Sequence, residues 1–279
     1  MPDKTIKHFV FIRFFPYKLS SFKRDIFDTD FLSAQVSLAK SNLLKSLENQ
    51  TNKDFEVGFW TNDKYLSNPK YEFIFTELQN GITLPLKFLK KDDMSHLVSV
   101  AYDSYDFVIQ SRVDFDDFMY KDAVADTQSK IDECKDILSY GYCKGYTYFN
   151  GELYTFPIPA YAHRGQMSTF QSWILKSSFA KQIPFIGSYS FNHTKVKPSL
   201  KEFLENNGLE FRDDMYQANV SDNAFIYFRH DATWMNNGKP YTEKPKSIDI
   251  KKKLTAKDIT KKQLEEEFGF TGYELKSIK

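Results

Sequence analysis

The chain has 279 residues, of which 41% are hydrophobic and 27% are charged, and its formal net charge is +1. This apolar content excludes an intrinsically disordered chain, and the small net charge excludes a long-range attraction to nucleic acid. The two cysteines, Cys134 and Cys143, are too few for a disulfide framework or a zinc site, so we expect free thiols and a cytoplasmic protein.

The first half of the chain alternates strand-like and helix-like segments. Short apolar runs predict strands over residues 8–15, 55–60, 82–89 and 105–113. Apolar residues at a helical period predict helices over residues 31–47, 71–78 and 95–102. Pro85 gives the third strand an edge position, because proline cannot donate a ladder hydrogen bond. This alternation predicts an α/β fold with a mainly parallel central sheet.

The second half is less regular and rich in aromatic residues. It predicts a helix over residues 122–139, hairpins over 141–156, a helix over 168–179 and a strand over 224–229. From Lys239 the composition becomes basic, with eleven lysines and seven acidic residues. We therefore divide the chain into a domain of residues 1–238 and a C-terminal extension of residues 239–279.

The C-terminal extension contains one predicted helix with an apolar face. Thr260 and Gln263 form a capping-box pattern, and Gly269 is a typical stop signal. Leu264 and Phe268, one helical turn apart, provide the apolar face. Because the extension has a net charge of +4, we expect it to dock either on the domain or, as a peripheral contact, on an anionic membrane surface.

Three aspartates directly follow the fourth predicted strand, in the segment Ser111-Arg-Val-Asp-Phe-Asp-Asp117. Side chains alternate along a strand, so Asp114 and Asp116 are expected on the same face as Arg112. Open parallel sheets bind ligands beyond the carboxyl ends of their strands, and carboxylates together with phosphates are the usual ligands of Mg²⁺. The segment therefore predicts a metal-bridged diphosphate site, the alternative being a solvated acidic turn.

Three segments together resemble a known family of enzymes. Their sequences are SLENQTNKDFE at residues 46–56, SRVDFDD at residues 111–117 and YFRHDATW at residues 227–234. They are similar to glycosyltransferases of the GT-A type, and most similar to the rhamnosyltransferase family of bacterial and viral surface-glycan clusters. The resemblance implies a GT-A-like fold, a Mn²⁺ or Mg²⁺ cofactor, and transfer of a hexosyl or deoxyhexosyl group from a nucleoside-diphosphate sugar to a glycan or another hydroxyl acceptor.

The resemblance also implies roles for residues around the metal. Asp116 is implied as a metal ligand, and Asp114 as a ligand of the metal or the ribose. His230, which follows the last predicted strand, is implied as a further metal ligand. Asp117 is expected to orient the sugar.

Further implied roles concern the nucleotide and the acceptor. Arg112 and Asp63 are expected to contact the nucleotide, whereas Arg13 either helps to hold it or forms a surface ion pair. An inverting transferase needs a base that takes the proton of the acceptor hydroxyl. Related folds carry this acid well after the metal motif, near the acceptor. Asp213 and Asp214 are the first candidates in this sequence and Asp222 is the second, the alternative for the pair being two ordinary solvated aspartates.

Two other functions fit parts of the sequence. An aspartate-based, metal-dependent phosphohydrolase would use Asp114 as its nucleophile, although such aspartates normally follow an early strand. A non-catalytic sugar-binding module would bind glycans without metal or nucleotide. Phosphate release from simple phosphoesters would indicate the first function, and metal-independent glycan binding would indicate the second.

Overall fold

The computed structural model describes residues 4–16, 25–149, 151–155, 170–191, 195–219, 224–229, 254–255, 258–271, 273 and 275. Its strands are β1 (Ile6–Phe14), β2 (Glu56–Thr61), β3 (Leu86–Leu89), β4 (Phe107–Asp114), β5 (Phe118–Met119), β6 (Ile137–Tyr142), β7 (Tyr146–Phe149), β8 (Glu152–Thr155), β9 (Gln171–Lys176), β10 (Tyr216–Asn219) and β11 (Phe225–Arg229). Its α-helices are α1 (Thr29–Ala39), α2 (Lys45–Glu48), α3 (Asp63–Ser67), α4 (Glu72–Gln79), α5 (Lys91–Ser104), α6 (Ala123–Ser129), α7 (Ser177–Ala180), α8 (Val196–Asn206) and α9 (Lys261–Phe268). A π-helical turn at Lys40–Leu44 joins α1 to α2, and 3₁₀ turns lie at Pro69–Tyr71, Lys130–Glu133 and Asp213–Met215.

Among the described residues, the larger of two sheets has seven strands in the order β10-β6-β9-β4-β1-β2-β3. Strands β3, β2, β1 and β4 run parallel to one another, and β10 runs parallel to β6. Strand β9 is antiparallel to both of its neighbours, β4 and β6. The structure thus confirms the predicted α/β fold with a mainly parallel sheet, and it places β3 at the expected edge.

Apolar side chains cover both faces of this sheet. On β1, Val10 and Ile12 pack into a cluster with residues of α1 and α4, whereas Phe9 and Phe11 pack on the opposite face with residues of α5 and α8. Because central strands of such a sheet are buried on both faces, their sequences are nearly continuous apolar runs. This explains why β1 is recognisable in the sequence. Cys134 and Cys143 are both buried thiols, in agreement with the absence of a disulfide that the sequence predicts.

The smaller sheet has the strand order β5-β11-β7-β8, and the C-terminal extension packs on it. Leu264 and Phe268 of α9 are fully buried in a cluster with residues of β5, β7, β8 and β11. The apolar face of the predicted helix therefore docks on the domain. The capping box at Thr260 is present, and the helix ends at Gly269 with φ of 66°, both as predicted.

Two predicted elements were wrong. Residues 168–179 were expected to form a helix, but Gln171–Lys176 is the strand β9, which is buried on both faces between β4 and β6. A short apolar run without alternation is equally compatible with a strand and a buried helix. Residues 137–139 were assigned to the end of a helix, but they begin strand β6, which pairs with β9.

Over the described residues, no helix is both long and apolar enough to span a membrane.

Candidate functional site

Trp60, Arg13 and Asp114 form a row across the carboxyl edge of three adjacent parallel strands. Arg13 on β1 is in register with Trp60 on β2 and with Asp114 on β4. Residues in register on neighbouring strands project from the same face of a sheet. Arg13 Nη2 lies 3.4 Å from Asp114 Oδ1, and the two side chains are 32% and 19% exposed. The row lies at the edge where open α/β sheets bind their ligands.

The sequence left two roles open for Arg13, which were binding of the nucleotide and a surface ion pair. The structure contains an ion pair, but it is half-buried and its partner is Asp114, one of the predicted metal ligands. Arg13 therefore lies beside the predicted diphosphate site rather than on a remote surface.

Tyr189 lies between the two arginines of the site, and sequence reasoning missed it. Its ring centroid is 4.6 Å from the guanidinium carbon of Arg112 and 5.6 Å from that of Arg13, both within cation–π range. The ring also packs on Trp60, with centroids 5.4 Å apart. Tyr189 comes from the segment after α7, far from the acidic motif in sequence, and the sequence around it carries no signal of this contact.

The hydroxyl of Tyr189 ties two strands together beneath the site. It lies 3.0 Å from the carbonyl oxygen of Phe11 on β1 and 3.1 Å from that of Val113 on β4. Burial raises the pKa of this hydroxyl well above its ordinary value, and the nearby Asp114 adds to the shift. Tyr189 is therefore neutral near pH 7, and the single hydrogen of its hydroxyl is shared between these two carbonyl oxygens.

Arg112 is held rigidly under the edge of the sheet. Its side chain is buried, and Nη1 lies 3.4 Å from the carbonyl oxygen of Phe191, to which it donates. A buried guanidinium that stacks on an aromatic ring loses little conformational freedom when it binds an anion. Arg112 and Asp114 lie two residues apart on β4 and share the face that the strand pattern predicted.

Strand β4 ends at Asp114, and the remaining aspartates lie in a turn. The amide of Asp117 donates to the carbonyl oxygen of Asp114 at 3.3 Å, and Phe115 is buried against Phe14 on the opposite face of the sheet. The expected strand alternation therefore reaches Asp114 but not Asp116, because the chain has already left the extended conformation. Asp116 is half-buried, and Asp117 is 1% exposed.

The carboxyl groups of this turn fit a hard divalent cation only in part. The described residues include no group of three or more His, Cys, Asp or Glu side chains that could hold a metal ion. Asp114 and Asp116 supply oxygen donors alone, which suits Mg²⁺ or Mn²⁺ when phosphate oxygens complete the coordination. His230, the predicted nitrogen ligand, lies outside the described residues.

Asp63 lies at the same edge of the sheet as Asp114. It is the first residue of α3, directly after the N-cap residue Asn62, and its side chain is exposed. The Asn62 amide caps α3 and donates to the carbonyl oxygen of Pro16 at 3.0 Å. This bond joins the chain segments that leave β1 and β2, so Asp63 follows the strand next to Arg13.

Asp213 and Asp214, the candidates for a base near the acceptor, lie at the opposite edge of the sheet from Asp114. Asp222, the second candidate in the sequence, lies outside the described residues. Asp213 and Asp214 belong to the 3₁₀ turn Asp213–Met215 that directly precedes β10, and β10 runs in the same direction as β6 and β4. Tyr216 is the first residue of β10. Through the register of β6 and β9 it aligns with Gln110, which lies in the middle of β4. The pair therefore faces the amino ends of the strands, whereas Asp114 lies at a carboxyl end. The position of an acid in the sequence does not reveal which end of a strand it adjoins.

Both aspartates are also engaged in ion pairs. Asp214 pairs with Lys135 at 2.7 Å and with Arg212 at 3.2 Å, and Asp213 pairs with Lys197 at 2.9 Å. The hydrogen bond from Lys135 lowers the pKa of Asp214 below its ordinary value. A lower pKa makes a carboxylate a weaker base, which does not favour a general-base role.

No protein-family model and no curated protein matches the chain. Solved structures with similar folds include TarS of S. aureus, at 15% identity and a TM-score of 0.41 over 81% of this chain. The match spans only 37% of the length of that TarS chain.

Two further solved structures match this chain over most of their own length. One is described as a nucleotide-diphospho-sugar transferase from Desulfovibrio desulfuricans G20, at 12% identity and a TM-score of 0.39 over 77% of this chain and 80% of that one. The other is mouse xyloside xylosyltransferase 1, at 8% identity and a TM-score of 0.37 over 76% of this chain and 84% of that one. All three matches have identities of 15% or less and TM-scores below 0.5.

Proposed function

We propose that this protein is a metal-dependent glycosyltransferase of the GT-A type. It transfers a hexosyl or deoxyhexosyl group, with rhamnosyl as the first to test, from a nucleoside-diphosphate sugar to a glycan or another hydroxyl acceptor in the cytoplasm. The observation that carries the proposal is the in-register pair of Arg13 and Asp114, with Arg112 on the same face, at the carboxyl edge of the parallel strands.

The charges of the site support a divalent cation as part of the proposal. Arg13 and Arg112 bring two positive charges, whereas Asp114, Asp116 and Asp117 bring three carboxyl groups within a single turn. A diphosphate entering this site would meet excess negative charge unless a cation were bound with it. We assign Asp114 and Asp116, with His230, as the residues that would hold Mn²⁺ or Mg²⁺.

Different residues of the proposed site bind the diphosphate, the sugar and the nucleoside. Arg13 and Arg112 bind the diphosphate and stabilise the negative charge that develops on it as the sugar leaves. A bound metal supplies further stabilisation of the same charge. Asp117 orients the sugar, and Asp63 contacts the base or ribose. We leave Asp213 and Asp214 out of the proposed site, because they lie near the amino ends of the strands.

A thermal-shift experiment tests the proposal. The unfolding midpoint is measured with UDP, GDP and dTDP, each with MnCl₂ or with EDTA, because a ligand that binds only the folded state raises the midpoint. We expect at least one nucleoside diphosphate to raise it by several degrees in Mn²⁺ and by much less in EDTA. No shift with any nucleotide would refute the proposal. Phosphate release from simple phosphoesters, or stabilisation by glycans without metal, would instead support one of the two alternative functions.

A further inference from the structure

Asn42 connects two parts of the protein. One is the turn that carries Asp114, Asp116 and Asp117, called the acidic turn below. The other is the C-terminal segment, which comprises α9 and the described residues that follow it, up to residue 273. Its side chain is fully buried, and Nδ2 donates to the carbonyl oxygen of Asp116 at 2.8 Å. Its Oδ1 accepts a hydrogen bond from the hydroxyl of Tyr273. Ser41 Oγ lies 3.0 Å from both Asn42 Oδ1 and the Tyr273 hydroxyl. A continuous chain of hydrogen bonds therefore runs from residue 273 to the peptide group of Asp116.

The π-helical turn at Lys40–Leu44 places Asn42 in this position. π-helical turns are rare and are often found at functional sites. Within this turn the consecutive residues Asn42, Leu43 and Leu44 are all buried, which an α-helical surface with one buried stripe would not allow. The wider turn brings a polar amide into an otherwise apolar interface without displacing the leucines.

The strand that leaves the acidic turn is held by the same C-terminal segment. Phe118, the first residue of β5, packs on Phe270 with ring centroids 5.0 Å apart and on Tyr273 at 6.1 Å. The amide of Lys121 donates to the carbonyl oxygen of Glu267 at 2.7 Å. The C-terminal segment thus contacts the chain on the downstream side of the turn as well as reaching Asp116 through Asn42.

The amide of Asn42 needs partners on both sides to keep its orientation. The terminal torsion of an asparagine is broad and roughly two-fold, so packing alone does not determine which side is Nδ2. With Tyr273 donating to Oδ1, Nδ2 must point to Asp116. Loss of the Tyr273 hydroxyl would leave Ser41 Oγ as the donor to Oδ1, and Ser41 Oγ also lies 3.1 Å from the carbonyl oxygen of Leu38. The Asp116 peptide group would then be less firmly oriented.

We propose that Asn42 and Tyr273 are positioning residues through which the C-terminal segment fixes the acidic turn in the geometry that binds metal and diphosphate. The hydrogen-bond chain itself does not depend on the proposed function, whereas its effect on metal and diphosphate binding does. Residues that hydrogen-bond to the groups carrying a metal ligand orient that ligand, and their loss weakens metal binding without removing any donor.

The experiment compares Tyr273→Phe and Asn42→Leu with the control Tyr71→Phe. Tyr71 is buried, whereas Tyr273 is partly buried, and Tyr71 likewise donates through its hydroxyl, at 3.3 Å, but to the carbonyl oxygen of Phe27. The first measurement is amide hydrogen exchange of the Asp117 and Met119 amides in the protein without ligand. Both amides are hydrogen-bonded, to Asp114 O and to Ser46 Oγ.

The second measurement is Mn²⁺ binding in the presence of the nucleoside diphosphate that shifts the wild-type midpoint, followed by the electron paramagnetic resonance signal of free Mn²⁺. We expect Tyr273→Phe to speed exchange of the turn amides and to raise the Mn²⁺ dissociation constant about threefold or more, and Asn42→Leu to raise it about tenfold. Tyr71→Phe should change neither quantity. Unfolding midpoints of all variants show whether each protein is folded at the assay temperature.

The outcomes separate the two proposals. If Tyr273→Phe leaves both exchange and Mn²⁺ affinity at the wild-type values, the positioning role is wrong; this variant removes one hydroxyl, so the test stands even if Asn42→Leu does not fold. If exchange accelerates but Mn²⁺ affinity does not change, the segment stabilises the turn and the positioning role is again wrong. If the wild type binds neither Mn²⁺ nor any nucleoside diphosphate, the proposed function fails, and the positioning role falls with it even where exchange accelerates.

Discussion

Arg13 and Asp114 stand opposite each other on neighbouring parallel strands, with Nη2 and Oδ1 3.4 Å apart at the carboxyl edge of the sheet. The spacing is long for a salt bridge, and both side chains remain partly exposed. Such a pair contributes little to the stability of the fold. It can therefore open to bind a ligand, because separating the two groups costs little free energy.

Replacement of Arg13 by glutamine should weaken nucleotide binding without unfolding the protein. We expect a loss of nucleoside-diphosphate affinity of about tenfold or more, since a hydrogen bond to a charged group is worth about 1.5–3 kcal/mol. The free energy of unfolding should fall by less than about 1 kcal/mol. Isothermal titration calorimetry measures the affinity. Arg212→Gln is the matched control, because Arg212 also forms an ion pair, with Asp136 at 3.1 Å, but at the opposite edge. Equal affinity losses in both variants would contradict the assignment.

Asp116→Asn should abolish sugar transfer while the fold remains intact. Asparagine keeps the shape of the side chain but removes the charge that a hard cation requires. The backbone carbonyl group that accepts from Asn42 is unchanged by the substitution. Donor consumption is measured across a Mn²⁺ titration, with the exposed residue Asp92 replaced by asparagine as the control. Mn²⁺-dependent activity retained in Asp116→Asn would exclude Asp116 as a ligand.

Asp214→Asn should leave transfer within about twofold of the wild type, because the side chain lies away from the site. Its effect should instead be on stability. The pKa of Asp214 is lowered in the folded state, so its contribution is present above the pKa of the unfolded chain and is lost as the pH falls through the folded pKa. The side chain is 38% exposed, so this contribution is below about 1 kcal/mol. Urea unfolding at pH 7 and pH 3 should show a smaller difference between variant and wild type at the lower pH. A large loss of transfer would restore the general-base role.

His8 should make the protein sensitive to mild acid. Its Nε2 lies 2.7 Å from Ser111 Oγ, its Nδ1 lies 3.3 Å from Gln128 Nε2, and burial lowers its pKa to about 3. Between that value and its ordinary pKa the unfolded chain binds a proton that the folded chain does not. Stability should therefore fall as the pH decreases through this window, by up to about 1.4 kcal/mol per pH unit.

His8→Gln removes the titrating group and should flatten this dependence between pH 6 and pH 4. Urea unfolding of both proteins at several pH values measures the slopes. Parallel slopes for variant and wild type would show that another group causes the acid sensitivity.

Tyr189→Phe should destabilise the protein modestly and leave the aromatic contacts of the arginines in place. The hydroxyl is the group that reaches the Phe11 and Val113 carbonyl oxygens, and its loss leaves them without this donor. We expect a decrease of about 1–2 kcal/mol in the free energy of unfolding, measured by urea titration. An unchanged value would mean that water replaces the hydroxyl at this position.

The sequence predicted those parts of the site that depend on one strand and its end. Asp114 could be placed because it is a polar residue at the end of a buried run, and strand ends meet at one edge of the sheet. Asp116 could not be oriented from alternation, because the turn that begins after Asp114 follows no fixed period. Tyr189 and Asn42 could not be found, since both reach the site through tertiary packing. Asp213 and Asp214 were misplaced because linear order does not determine at which edge a segment returns.

The position of β9 has a consequence for the order in which the sheet can assemble. Strands β3, β2, β1 and β4 all lie within the first 114 residues and can pair as soon as they are synthesised. Strand β6 has no direct partner among them and joins the sheet only through β9, whose residues are made later. Until then β4 presents an unpaired edge, which is an opening for association with other chains. A ribosome-bound chain whose residues 171–176 have not yet left the ribosome should therefore aggregate more readily, or recruit more chaperone, than one in which they have emerged.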